Sequence, residues 1–415
     1  MSVPSKNLTR RQLLALAPLA LPGLHAFAQS RLFARKPKPR APLPSPFVYF
    51  GTDTTRAGAQ GIYRSRFDPA AGRLTPPELV AACVRPSYFA VSQTTQRGQT
   101  RQLLYTINAG DAKTSAVTTY MIAQRTGALT KIGEVTSAGE GPCYIAVDST
   151  GRSAYVANYN GGTIASYLVK LDGTLSEPVS RIDFHDQKLY GHHGPNASRQ
   201  TGPHPHSAML SPDNRFLIVN DLGNDDIAIF PVDPATAQIG NVRLYENLAP
   251  ASGPRHVVFH PNTRWVYGID EISSRIDQYL WTATHASSGV VAEALLTETG
   301  HSVSTLDAGF RGTNTAAEVV ISPGGNHLYA SNRGEDSIAV FTLDETNGAP
   351  KFAQRIPCGG RAPRHFTLDN TGHWLICENQ DSASVTVFAR NPGNGLLTGP
   401  MQTLPLESPM FALLV

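Results

Sequence analysis

The sequence predicts an all-β fold: a seven-bladed β-propeller of four-stranded antiparallel blades, with the ring closed by the C-terminal strand joining the N-terminal blade. Three observations carry that expectation. Glycine and proline are plentiful, at 36 and 31 of 415 residues, while charged residues make up only 16%; this balance suits many short strands and tight turns better than long helices. One phrase recurs along the chain every roughly 46 to 63 residues, the repeat length of propeller blades. No helical period of useful length occurs outside the N-terminal segment.

The repeat runs from a small residue or proline through an apolar strand, a Pro/Asn/Gly turn and a second strand to a closing Asn or Asp. It is read in GPCYIAVDSTGRSAYVAN, HPHSAMLSPDNRFLIVND, GPRHVVFHPNTRWVYGID, TAAEVVISPGGNHLYASN and APRHFTLDNTGHWLICEN. Weaker copies are RPSYFAVS and the terminal SPMFALLV, so seven anchors fall at Pro86, Pro142, Pro205, Pro254, Ala316, Pro363 and Pro409. A third strand and a D-x-x-T/A-G-x-L turn follow each hairpin, as in SIAVFTLDETNGAP, and a variable fourth strand leads to the next anchor. The first blade, from FVYFGTD, lacks a leading strand, and the last anchor supplies only a leading strand. Pairing the two closes the ring and leaves no long free edge.

The N-terminal segment is set apart. In residues 1–28, Arg10-Arg11 precede a short apolar run ending Ala26-Phe27-Ala28, the pattern of a Tat-type export signal cleaved after Ala28. The run is short and broken by Pro18 and Pro22, so no stable membrane anchor is expected. Residues 29–46, rich in Pro, Lys and Arg, read as an extended linker before a propeller domain at 47–415. The expected location is therefore periplasmic or secreted. The formal net charge of +3 owes much to Arg31–Arg40, which argues against a nucleic-acid partner. Export permits disulfides, but Cys83, Cys143, Cys358 and Cys377 show no CxxC spacing and sit in apolar strands, so they read as buried thiols.

Aligning the repeats on their anchors exposes the candidate site. The next column reads Ser87, Cys143, His206, Arg255, Ala317, Arg364, Met410, and the one after it Tyr88, Tyr144, Ser207, His256, Glu318, His365, Phe411. The hairpins end at Asn158, Asp221, Asp270, Asn332 and Asn379, followed by Tyr159, Leu222, Glu271, Arg333 and Gln380. The start of one antiparallel strand and the end of its partner share one end, so all these columns face one rim of the ring. The Asn/Asp column reads as structural, its short side chains bonding their own turn backbone. Blade-specific departures point to function: His206, Arg255, Glu271 and Arg333 are the candidate catalytic residues, with Arg364, His256 and Glu318 as candidate substrate-binding ones. The histidine-rich stretch 183–207, with His185, His192, His193, His204 and His206, matches no compact metal-ligand spacing and reads as a loop over the channel mouth.

These phrases closely resemble the lactonase family of seven-bladed propellers, which includes 6-phosphogluconolactonases and the fungal carboxymuconate lactonizing enzymes, over about 47–415. In the cycloisomerase branch the resemblance implies an active site of one His, two Arg and one Glu on successive blades. Matched phrase by phrase these fall on His206, Arg255, Glu271 and Arg333. The expected function is an exported, metal-independent hydrolase opening a sugar-acid lactone, 6-phosphogluconolactonase-like, with His206 as general base and Glu271 orienting it or sharing the proton transfer. Arg255 and Arg333 would hold a carboxylate, phosphate or oxyanion. No cofactor is called for, and the partner is a small lactone or anionic sugar acid. A non-catalytic binding propeller and a muconate cycloisomerase are the alternatives.

Overall fold

The computed structural model describes residues 46–96, 99–186, 193–284 and 293–415. The expected export signal, nearly all of the expected linker and His192 lie outside the described residues. Among those described, no helix is long and apolar enough to cross a membrane.

Seven antiparallel sheets make up the fold. Blade 1 (47–82 with 409–414) begins with Phe47–Thr52, which pairs on its inner side with the C-terminal strand Pro409–Leu414, Val48 opposite Leu414 and Gly51 opposite Phe411. The ring is thus closed by strand exchange between the chain's two ends. Blades 2 to 7 follow in order at 86–136, 142–183, 205–247, 254–304, 315–357 and 363–405. Each innermost strand touches the next around a closed circle. Six of the seven start at an anchor proline, where a first strand residue needs no ladder N–H; the seventh starts at Thr315.

Two sheets carry five strands rather than four. In blade 1 the outer position is split into Arg73–Leu74 and Glu78–Ala82 by Pro76 and Pro77, which cannot donate to the ladder. In blade 4 it is split into Gln238–Ile239 and Leu244–Asn247.

The core lies between blades. Seven apolar clusters correspond to the seven blade interfaces; Tyr155 and Phe184 of blade 3, for example, pack on Leu217 and Phe230 of blade 4. A recurrent hydrogen bond locks four of the interfaces. The hydroxyls of Tyr49, Tyr105, Tyr267 and Tyr329 donate to the carbonyls of Gly127, Gly173, Gly348 and Gly395 in the following blade, at 2.7, 2.9, 2.7 and 2.7 Å. These glycines belong to the D-x-x-T/A-G-x-L turn. Gly348 has φ +74°, and a Cβ there would stand 2.5 Å from the Trp265 ring, so both conformation and space demand glycine.

The Asn column is structural, but by a different route from self-bonded turns. Asn158, Asn332 and Asn379 donate to the carbonyls of Ser137, Thr305 and Cys358 and to the hydroxyls of Thr163, Ser337 and Thr386. They tie the inner hairpin to the outer strands. Only Asp221 follows the expected pattern, accepting from the Gly223 and Asn224 amides. All four cysteines are free thiols; Cys358 and Cys377 are buried, whereas Cys83 and Cys143 are half-buried.

Candidate active site

A backbone device brings the candidate residues to the channel mouth. In five blades the residue after the anchor is skipped by the ladder: Pro142 pairs with Asn158 and Tyr144 with Ala157, Pro205 with Asp221 and Ser207 with Asn220, Pro254 with Asp270 and His256 with Ile269. The same holds for Pro363 with His365 and Pro409 with Phe411. Cys143, His206, Arg255, Arg364 and Met410 are therefore β-bulge residues. A bulge inserts one unpaired residue and re-aims its side chain, which is how two consecutive columns both serve the channel.

The bulge column and the hairpin ends enclose a cavity of about 300 Å³ lined by His206, Arg364, Cys143, Glu271, Arg333 and Tyr159, among others. The following column forms the floor. Tyr88 packs on Tyr144 and Phe411 with ring centroids 4.4 and 4.1 Å apart, His365 packs on Phe411 at 4.1 Å, and His256 meets Tyr144 edge-on at 5.5 Å.

Glu271 is the hub of the pocket, at 1% exposure. Arg333 Nη2 lies 2.8 Å and Arg255 Nε 3.3 Å from its Oε2, and Arg199 pairs with Oε1. Burial alone would raise its pKa, but Arg333, Arg199 and Arg255 outweigh it and bring it to about 2. Arg333 also donates to the Thr315 and Ala316 carbonyls at 3.3 and 3.1 Å. Arg364 lines the same cavity with no hydrogen bond or ion pair among the described residues. Burial and the adjacent Arg333 and Arg255 pull its pKa down to about 9, the mark of an excess of positive charge.

His206 is buried, and burial together with Arg255, His256, Arg364 and Arg333 holds its pKa well below the usual imidazole value. It is therefore neutral at pH 7. Its ring meets Tyr159 and His256 edge-on at 5.6 and 5.2 Å, and its Nδ1 has no hydrogen-bond partner among the described residues.

The geometry corrects three expectations. Glu271 binds three arginines and does not hydrogen-bond to His206, so the imidazole is oriented by packing. Arg255 is 3% exposed, does not line the cavity, donates to the Ala317 carbonyl and forms an ion pair with Glu271, because the guanidinium turns between two carboxylates. His256 and Glu318 also lie outside the cavity lining and pair in the floor at 3.1 Å: ladder pairing resumes at His256 after the bulge, whereas in blade 6 both Ala317 and Glu318 are skipped and pairing resumes at Val319. Arg364 does line the cavity.

Sequence reasoning missed Arg199, which reaches Glu271 and the Tyr159 hydroxyl from the loop between blades 3 and 4. Gln200 anchors that loop, donating to the Leu222 carbonyl and the Asp225 carboxylate at 3.0 and 2.6 Å. The loop's described histidines take separate partners. His185 meets Asp183, His193 meets Asn224, and His204 stacks on Tyr159 at 4.4 Å with its Nδ1 at the Tyr159 carbonyl.

A closed ring of seven blades with an arginine-rich, histidine-bearing pocket at one mouth defines a β-propeller with an anion-accepting site. Residues 47–414 match the family described as lactonase, 7-bladed beta-propeller, and the chain belongs to that family. It is 29% identical over 363 residues to the 6-phosphogluconolactonase of Bacillus subtilis, covering 87% of this chain and 96% of that protein. The 6-phosphogluconolactonase of Formosa agariphila is 28% identical over 365 residues, 87% of this chain and 96% of its own. Among solved structures, the periplasmic gluconolactonase PpgL of Pseudomonas aeruginosa superposes with a TM-score of 0.76 at 28% identity, covering 89% of this chain and 99% of PpgL.

Proposed function

We propose that the chain hydrolyses a sugar-acid lactone in this pocket, in the manner of a 6-phosphogluconolactonase, by general acid/base chemistry carried by its own side chains. The observation that carries the reading is His206, a buried neutral imidazole with an uncommitted Nδ1 in a cavity whose surplus charge is positive. His206 takes a proton from water as the water oxygen adds to the lactone carbonyl. Negative charge passes to the carbonyl oxygen, where Arg364 and Arg333 supply donors. The ring C–O bond then breaks, the imidazolium returns its proton to the departing oxygen, and the product is a hydroxy acid whose carboxylate the same arginines retain. Glu271 holds Arg199, Arg255 and Arg333 in register.

The names of the relatives, two 6-phosphogluconolactonases and a gluconolactonase, support a lactone substrate. The twin arginine at Arg10-Arg11 and the periplasmic P. aeruginosa relative support a periplasmic or secreted location. There the enzyme meets unphosphorylated sugar lactones. The test is an assay of the purified mature protein on gluconolactone, its 6-phosphate and muconates, with spontaneous hydrolysis subtracted. Enzymatic opening of gluconolactone is expected. No turnover of either lactone would reduce the pocket to a binding site, and loss of muconate ultraviolet absorbance would make the chain a cycloisomerase.

A further inference from the structure

Beneath the pocket lies a second buried ionic cluster to which the hydrolysis assigns no task, centred on Glu318 of blade 6. Its oxygens lie 3.1 and 3.2 Å from His256 Nδ1, one accepts the Val319 amide at 3.3 Å, and Arg255 Nη1 stands 3.8 Å away. Each of these neighbours can donate to it. Burial raises the pKa of Glu318, but His256, His365 and Arg255 outweigh it and bring it to about 2. Glu378 of blade 7 is different. It is fully buried, one oxygen lies 2.8 Å from His365 Nδ1, and that nitrogen also receives the Ala412 amide at 3.3 Å. A backbone N–H only donates, so His365 Nδ1 is an acceptor and the carboxyl of Glu378 supplies the hydrogen. His365 is thus the Nε2–H tautomer, with Nε2 4.0 Å from Glu318.

We infer that Glu318 is a positioning residue for the pocket above it: its charge holds Arg255, and through Arg255 the Glu271 cluster, while a neutral Glu378 fixes His365 behind it. One guanidinium spans two carboxylates, with Nη1 toward Glu318 and the Ala317 carbonyl and Nε 3.3 Å from Glu271. Without the lower charge, Arg255 is free to close on Glu271 and draw it from Arg333 and Arg199, which displaces the groups that meet the substrate. Such displacements lower turnover more than binding.

The assignment rests on the hydrolytic reading of the pocket, so one arm of its test requires no activity. In Glu318→Gln, which keeps the shape and removes the charge, kcat on the lactone turned over by the wild type is expected to fall about a hundredfold with KM little changed. Glu318→Asp, which keeps the charge, is expected to recover part of the loss. Wild-type kcat in Glu318→Gln would overturn the proposal. In the second arm, nitrogen-15 NMR of the unaltered protein reads the imidazole tautomer at His365, where Nε2–H is expected from the Ala412 amide on Nδ1. Nδ1–H at His365 would overturn the charge assignment, whether or not a lactone is turned over or the variant folds.

Discussion

Arg255 and His256 are consecutive in the chain, yet they serve two storeys of the channel: Arg255 Nε lies 3.3 Å from Glu271 beside the pocket, while His256 Nδ1 lies 3.1 Å from Glu318 in the floor. A regular strand would send the two side chains to opposite faces. The bulge between Pro254 and His256 turns both toward the channel.

Glu271 is the only carboxylate lining the described cavity, so its neutralisation should be costly. Glu271→Gln leaves Arg199, Arg255 and Arg333 facing one another without their counter-ion. Removing one partner of a buried pair costs about 3–5 kcal/mol. Chemical denaturation of the variant should show a loss of that order, and a stability equal to the wild type would remove Glu271 as the hub.

The same pairs set an acid limit. The pKa of Glu271 is depressed to about 2 against an ordinary 4.5, so its contribution to stability is fully present above about pH 4.5 and is lost as pH falls toward 2. His206 is also depressed, so its basic form persists well below pH 6.5. A pH–rate profile should be flat through neutrality with its acid limb well below 6.5; a limb at 6.5 or higher would contradict the buried neutral imidazole.

Among the described residues Arg364 has no hydrogen-bond or ion-pair partner to lose. Arg364→Met should leave the melting temperature unchanged or raise it, because the substitution relieves repulsion from Arg333 and Arg255. It should also raise KM by about tenfold or more, the value of a charge-assisted hydrogen bond to substrate. Steady-state kinetics and a thermal melt on one preparation decide both points.

Tyr267→Phe probes the latch between blades. It removes the buried 2.7 Å bond to the Gly348 carbonyl and should cost about 1–2 kcal/mol without altering turnover, since the latch lies outside the pocket lining.

The ring was legible in the sequence because the same physical demands recur from blade to blade. The anchor proline opens an inner strand, a glycine such as Gly348 receives the neighbouring tyrosine, and an Asn ties the hairpin outward. The candidate site was legible where one blade broke a column, as at His206, Glu271 and Arg333. Depth was not legible, because a bulge is a matter of backbone count and leaves no mark in side-chain periodicity. For that reason His256 and Glu318 were expected at the substrate and lie in the floor, and Arg255 was expected to face the ligand and is enclosed. Arg199 escaped because an irregular loop offers no column to compare.

The role of His206 can be decided by comparing kcat of His206→Ala with that of the wild type on the same lactone, after circular dichroism and thermal melting show both folded. A fall of about a hundredfold or more is expected for loss of a general base. An unchanged kcat would contradict the hydrolytic role of the imidazole.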